Sequence, residues 1–277
     1  MPDTRAYTFG HSSAATGTHA ARTVQSDAAF LLPYIKPTDK ILDVGCGPGT
    51  ITFGFAEYVP DGSVTGTDYA PEIVERAQAF AQSKIHEDDG KSRGKLDFVV
   101  GNVLERLPFE DETFDVIFSS QVLTHIGSRS DQALKEMRRV LKTGGILSSR
   151  DAASTVYEPF QKELGVQYLN NICKAAGLDG LTGPKMAALY RGAGFDIDGG
   201  KVKVGGGTTV IHGKDATKAH AASMGGRLSK GDTFRANWEK AGVSEEEIEL
   251  LQKRMFEWGE TEDAWYGILH SEIVAQK

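Results

Sequence analysis

Apolar and polar positions alternate in blocks along the first half of the chain. Residues 1–17 are small and polar, with Gly10 and Gly17, and read as an extended or mobile arm. Residues 20–35 read as a helix with Val24, Ala28, Phe30, Leu31 and Leu32 on its apolar side, ended by Pro33 and Pro37. The run Lys40-Ile41-Leu42-Asp43-Val44 is short, apolar and followed by glycines, which predicts a buried strand and a tight turn. A helix over 50–58 follows, then a turn at Asp61-Gly62 and a second strand over 63–67. Pro71 suits the first turn of a helix running to about Lys84. The polar loop 86–94 leads to a third strand over 96–100, and a fourth covers 114–119. A charged amphipathic helix over 131–141 stops at Thr143-Gly144-Gly145, ahead of a fifth strand over 146–149.

Strands and helices that alternate in this way build a parallel sheet with helices on both faces. The alternation weakens after Asp151. Helices are expected over 157–175 and 185–191, a strand at Phe195-Asp196-Ile197, and a mostly helical stretch over 213–262. Ser244-Glu245-Glu246-Glu247 has the spacing of a capping box. Residues 265–274 read as a closing edge strand. The fold class expected is α/β, a doubly wound, Rossmann-like, mostly parallel sheet of seven strands with a helical cap.

Composition narrows the partners. The 277 residues are 40% hydrophobic and 25% charged, an ordinary globular make-up, with a net charge of -7. Lys and Arg are scattered among acids rather than gathered in a stripe, which disfavours nucleic acid as substrate. Two distant cysteines, Cys46 and Cys173, make neither a disulfide framework nor a zinc pattern and suit a reducing compartment. His19, His212, His220 and His270 show no metal-ligand spacing, so no metal is expected. With no apolar run long enough to span a bilayer and no signal-peptide core, a cytoplasmic enzyme is expected.

The chemistry concentrates in Asp43-Val44-Gly45-Cys46-Gly47-Pro48-Gly49-Thr50, between the first strand and its helix. Glycines there allow a tight turn and close approach of backbone to ligand. A dinucleotide fingerprint reads G-x-G-x-x-G; here the third glycine, Gly49, comes one residue early. Asp43 would repel a pyrophosphate but suits a cation, and S-adenosylmethionine carries both an ammonium and a sulfonium. Spacing and charge therefore favour that methyl donor as cofactor. Asp68 ends the second strand about twenty residues on, where an acid accepts hydrogen bonds from ribose hydroxyls; it is also placed to cap the helix at Ala70-Pro71. Tyr69 can pack on the adenine. Asn102, after the third strand, is placed to bond an adenine amine through its carbonyl oxygen, or to serve as a turn residue.

The DVGCGPG loop, Asp68, and the segments GNVLERLPF, FDVIFSSQVLTHI and RRVLKTGGIL together resemble class I S-adenosylmethionine-dependent methyltransferases. They look closest to the ubiquinone/menaquinone C-methyltransferase-like, small-molecule group. The resemblance covers residues 20–151 well and the rest only in general layout. It implies that Asp43, Gly45, Cys46, Gly47 and Gly49 belong to the turn holding the methionine part. It further implies that Asp68 holds the ribose, that Asn102 and Val103 meet the adenine, and that Ser120 and Gln121 touch the cofactor. Many members have Asp where this chain has Asn102. On this basis the chain divides into an N-terminal arm and helix (1–35, a lid), a donor-binding core (36–151), and the rest of the sheet with a helical substrate cap (152–277).

Methyl transfer by in-line displacement requires alignment, exclusion of water and sometimes a base. Candidate catalytic groups are His125 after the fourth strand, Asp151 after the fifth, and His11 in the arm. Arg150 and Tyr7 are candidate substrate contacts, and Arg22 and Thr23 candidates for the methionine carboxylate. Each has a plainer alternative: His125 as a helix cap, Arg150 and Asp151 paired or capping, His11 on the surface, Arg22 and Thr23 on a solvated face. Ser119-Ser120-Gln121-Val122 lacks the Asn/Asp-Pro-Pro-aromatic signature of amine and amide methylating enzymes. No Pro-Cys pair exists for attack on cytosine. A small-molecule acceptor, as in secondary metabolism, is the expectation. The alternatives are a nicotinamide-dependent oxidoreductase, which would need a different glycine spacing, and a non-catalytic binding module on the same fold.

Overall fold

A computed structural model describes residues 22–277 except 87–89, 91 and 179. Its seven strands are β1 Lys40–Val44, β2 Ser63–Asp68, β3 Lys95–Val100, β4 Phe114–Ser120, β5 Leu141–Glu158, β6 Val202–His212 and β7 Trp265–Gln276. They form one sheet in the order β3-β2-β1-β4-β5-β7-β6. The first five are parallel neighbours. Strand order reverses between β1 and β4, which opens a crevice at their carboxyl ends.

The helices are α1 Val24–Asp27, α2 Thr50–Phe55, α3 Pro71–His86, α4 Leu123–Ile126 and α5 Ser130–Val140, followed by α6 Leu169–Ala176, α7 Met186–Gly192, α8 Lys214–Gly226, α9 Thr233–Lys240 and α10 Glu245–Glu260. The pattern on α5 shows why they form: Ala133, Leu134, Met137 and Val140 share one buried face. Burying each larger member contributes roughly 1.5–3 kcal/mol. No helix among the described residues is long and apolar enough to cross a membrane.

The described residues form two units. One comprises the described residues from 22 to 151 with Gly183–Gly206 and Ser271–Lys277. Its core packs Leu42, Val44, Ile117, Leu134, Met137 and Leu147 on one side of the sheet. Val24, Leu31, Ile41, Phe55, Val64 and Phe118 form a second cluster. The other unit holds Ala152–Thr182 and Gly207–His270. It closes on Tyr168, Phe234, Trp238, Leu251, Met255 and Trp258. There Ser244 Oγ accepts the Glu247 amide at 3.2 Å and starts α10, one half of the expected capping box; the Glu247 carboxylate instead accepts from Asn171 Nδ2 at 2.9 Å.

Several expectations need correction. Among the described residues of the helix expected over 20–35, only α1 and a single 3-10 turn, Leu32–Tyr34, are helical. Thr23 starts α1 late, and Ala28 leaves helical geometry with φ -134. The glycines Gly144 and Gly145 do not end α5; they lie inside β5, which runs on through Tyr157. The helix expected from 157 therefore starts as a π-helical stretch at Gln161. Phe195 is not in a strand but packs its ring against Tyr190, 5.3 Å between centroids. The strand instead comes at β6, where the run Gly205-Gly206-Gly207 hides the alternation. The closing strand β7 is present but lies between β5 and β6, so β6 is the edge.

Candidate functional site

Register brings the predicted residues to one edge. Val99, Thr67, Val44, Ser119 and Ser149 pair across β3, β2, β1, β4 and β5. One step beyond that line, Val100 pairs with Asp68 and Ser120 with Arg150. The turn 45–49 leaves β1 between them. Gly45, Gly47 and Gly49 have φ of 70, 53 and 82, a left-handed region that only glycine enters without strain. The Gly45 and Cys46 amides donate to Thr67 O at 2.8 and 3.0 Å, fastening the turn to β2.

The three glycines differ in their surroundings. A Cβ on Gly45 would collide with Val122 Cγ2. One on Gly49 would meet Ala77 and the Phe98 ring at about 3 Å. On Gly47 it would meet nothing within 4 Å, so this is the open face of the turn. The Gly47 amide donates to Asp68 Oδ2 at 3.3 Å, and the Ala70 amide to Asp68 Oδ1 at 3.2 Å. Asp68 thus joins the turn and also caps the entry to α3. Tyr69 beside it is 46% exposed.

Asp43 lies beneath the turn, buried, with its Oδ2 accepting from Thr52 Oγ1 at 2.6 Å. Burial, and secondarily the Asp68 charge, push its carboxyl up to about 7. Cys46 joins the turn through its backbone and through its thiol, which donates to Gly47 O at 3.7 Å. Its side chain packs with Val74, Ala77, Ala81 and Phe98, and burial pushes the thiol well up. Asn102 makes the turn: its Oδ1 accepts the Leu104 amide at 3.0 Å and its Nδ2 reaches Glu105 at 3.3 Å. Val103 points into the core with Leu42 and Leu107. Val103 is buried, whereas Asn102 is half-buried with its side chain serving the turn.

On the β4 side, Ser120 Oγ is buried with no hydrogen-bond partner among the described residues. Gln121 follows with φ 62, a strained backbone for a side-chain-bearing residue. His125 is half-buried on α4. Arg150 and Asp151, expected to face substrate, are both committed inside the protein. Arg150 pairs with Asp27 at 3.0 Å and Glu272 at 3.3 Å and is 2% exposed. Asp151 is wholly buried and its Oδ1 accepts the Thr124 amide at 3.0 Å. Burial pushes its carboxyl up to about 6. Thr23 is likewise a cap, its Oγ1 accepting the Ser26 amide at 3.1 Å, and is exposed. Arg22 approaches Asp27 at 3.9 Å. Tyr7 and His11 lie outside the described residues.

Sequence reasoning passed over several partners. Thr52 interrupts an apolar helix start and answers Asp43. Val122 fills the space that Gly45 leaves. Ser149 Oγ accepts from Tyr190 Oη at 2.7 Å and lies 2.9 Å from Ser119 Oγ, a buried polar chain behind the crevice. Among the described residues, no group of three His, Cys, Asp or Glu is arranged to hold a metal ion.

Comparison with known proteins agrees with this architecture. A family described as "Methyltransferase domain" matches residues 42–149. The probable methyltransferase ltbC of Aspergillus luteorubrus is 41% identical over 281 residues, 99% of this chain and 98% of its own. A ubiquinone/menaquinone biosynthesis C-methyltransferase of Vibrio parahaemolyticus is 35% identical over 128 residues, 46% of each chain. Among solved structures, the YcgJ protein of Bacillus subtilis superimposes with a TM-score of 0.57 at 17% identity. It covers 90% of this chain and 97% of its own, a likeness of fold.

Proposed function

The chain belongs to the S-adenosylmethionine-dependent methyltransferases, and from that premise we propose that it methylates a small molecule at the carboxyl edge of β1, β2 and β4. The feature that supports the site most is the Asp68 carboxylate, tied to the Gly47 amide at the open face of the turn. A donor nucleoside laid across this edge would find Asp68 for its ribose and the exposed Tyr69 ring for its adenine. Turn 45–49 would hold its methionine part, with Ser120 Oγ offering a buried hydroxyl. The pair Asp43 and Asp68 suits a cation, whereas a pyrophosphate would meet two carboxylates.

The donor supplies an activated methyl group on a good leaving group. The protein's own residues hold and orient it: left-handed glycines bring backbone close, and Asp68 fixes the sugar. Burial of Asp43 keeps a carboxylate in low dielectric, where it acts more strongly on a nearby positive charge than it would in water. His125 is the remaining side chain suited to proton transfer among the described candidates, and Tyr7 and His11 stay as contributions from the arm. The acidic balance, -7 overall, supports a small acceptor over nucleic acid. Two free cysteines, Cys46 and Cys173, support a reducing cytoplasmic setting.

Calorimetric titration with S-adenosylmethionine, its demethylated product S-adenosylhomocysteine, and NAD tests the site. Binding of the first two and not the third is expected. Binding of NAD alone would end this assignment.

A further inference from the structure

We propose that Asp151 is a positioning residue, whose carboxylate holds segment 121–124 in the turn that wedges Val122 against Gly45. The inference rests on turn 45–49 being the donor site.

The chain leaves β4 at Ser120 in a way that no strand exit requires. Gln121 takes a left-handed φ of 62 and Val122 returns to φ -85. Such a kink persists only where its surroundings fix it. Two successive residues of β5 supply the grip. The Gln121 amide donates to Arg150 O at 2.8 Å, and the Thr124 amide donates to Asp151 Oδ1 at 3.0 Å. Thr124 lies in the first turn of α4, a helix of four residues that offers its amide no internal acceptor. A buried amide left without an acceptor is costly, so the carboxylate sets where α4 begins.

That position matters because Val122 occupies the space a Cβ on Gly45 would need. Gly45 is in turn fastened by its amide to Thr67 O at 2.8 Å. Asp151, the 121–124 kink, Val122 and Gly45 therefore form one packed line from β5 to the donor turn. Asp151 itself has no exposed surface. Its role is to shape the turn, and it does not exchange a proton with substrate.

The test is the affinity of the full chain for S-adenosylhomocysteine, read with the melting temperature of each variant. Asp151→Ala is expected to weaken binding about tenfold, because the Thr124 amide it held is released. Asp151→Asn keeps an acceptor oxygen and is expected to restore affinity to within about threefold of wild type. Val122→Ala, a truncation at a half-buried position, should weaken binding similarly. Combining it with Asp151→Ala should add little, as for residues acting through one contact. Wild-type affinity in Asp151→Ala or Val122→Ala would overturn the proposal. So would an Asn variant as weak as the Ala variant, which would mean that the charge itself is needed. Additive losses in the double variant would overturn it too. If Asp151→Ala fails to fold, Val122→Ala and Asp151→Asn still decide. Failure of the wild-type chain to bind would instead refute the donor site.

Discussion

The Asp43 carboxylate and the Thr52 hydroxyl meet at 2.6 Å beneath the glycine turn, sealed from solvent. One hydrogen bond does not offset the burial of that charge, so the group titrates at about 7. A carboxylate raised in this way favours the protonated protein. Its contribution to stability is full below the ordinary value of 3.8 and is lost as pH rises through about 7. Asp43→Asn should remove that loss. Thermal melts without ligand should show the variant gaining on wild type between pH 6 and 8. A constant gap across that range would mean that Asp43 does not titrate there.

A cationic donor reverses the balance, since it favours the ionised carboxylate. Affinity for S-adenosylmethionine should rise with pH through about 7. The sulfur-neutral product should show a weaker dependence, and Asp43→Asn should flatten both. Titration at four or five pH values checks this; identical slopes for the two ligands would exclude a charge effect at the sulfur.

Gly45 and Gly47 separate folding from binding. Both are left-handed, so Ala costs roughly 1–2 kcal/mol at either. At Gly45 the new methyl also strikes Val122, and overpacking adds about 1–3 kcal/mol. At Gly47 it enters open space on the ligand side. Gly45→Ala should therefore melt at lower temperature than Gly47→Ala, while Gly47→Val should abolish donor binding. Asp68→Ala should weaken it by about tenfold or more, with Gly47 losing its acceptor.

How much of this was legible in the sequence depends on range. The glycine turn was readable because its chemistry is local: three glycines after an apolar strand demand a left-handed turn. Asp68 was readable because a strand end fixes it beside that turn. Arg150 and Asp151 were misread because their partners, Asp27, Glu272 and Thr124, lie far along the chain. Nothing near Arg150 in sequence announces an acid 123 residues away. Strand β6 was missed for another reason: its side chains are mostly exposed, so burial leaves little pattern in it.

Arg150 gives a prediction opposite in kind to those at the turn. It is buried between two carboxylates, and removing it would take away the charge partner of Glu272 and leave Asp27 with the Ser26 hydroxyl at 2.7 Å and Arg22 at 3.9 Å. Arg150→Met should cost about 3–5 kcal/mol of stability, the usual consequence of breaking a buried pair from one side. Chemical denaturation should show this, with donor affinity of the folded variant little changed. A large loss of affinity at unchanged stability would return Arg150 to the binding machinery.

His220 carries the pH argument into the other unit. Its Nε2 lies 2.9 Å from Tyr157 Oη, and its ring stacks on Tyr266 at 4.5 Å. Burial, and secondarily Arg227, lower it to about 4. A histidine kept neutral in the fold gives stability that is present above 6.5 and lost as pH falls through about 4. This runs against Asp43 and Asp151, whose contributions are lost as pH rises. Stability of the free protein should therefore peak on the acid side of neutrality, where His220 is still neutral and the two carboxyls still hold protons. His220→Phe keeps the aromatic packing and removes the titration. It should gain more melting temperature between pH 7 and pH 5 than wild type does, because the opposing histidine limb is gone. An equal change in both proteins over that range would show that the buried histidine does not govern that limb.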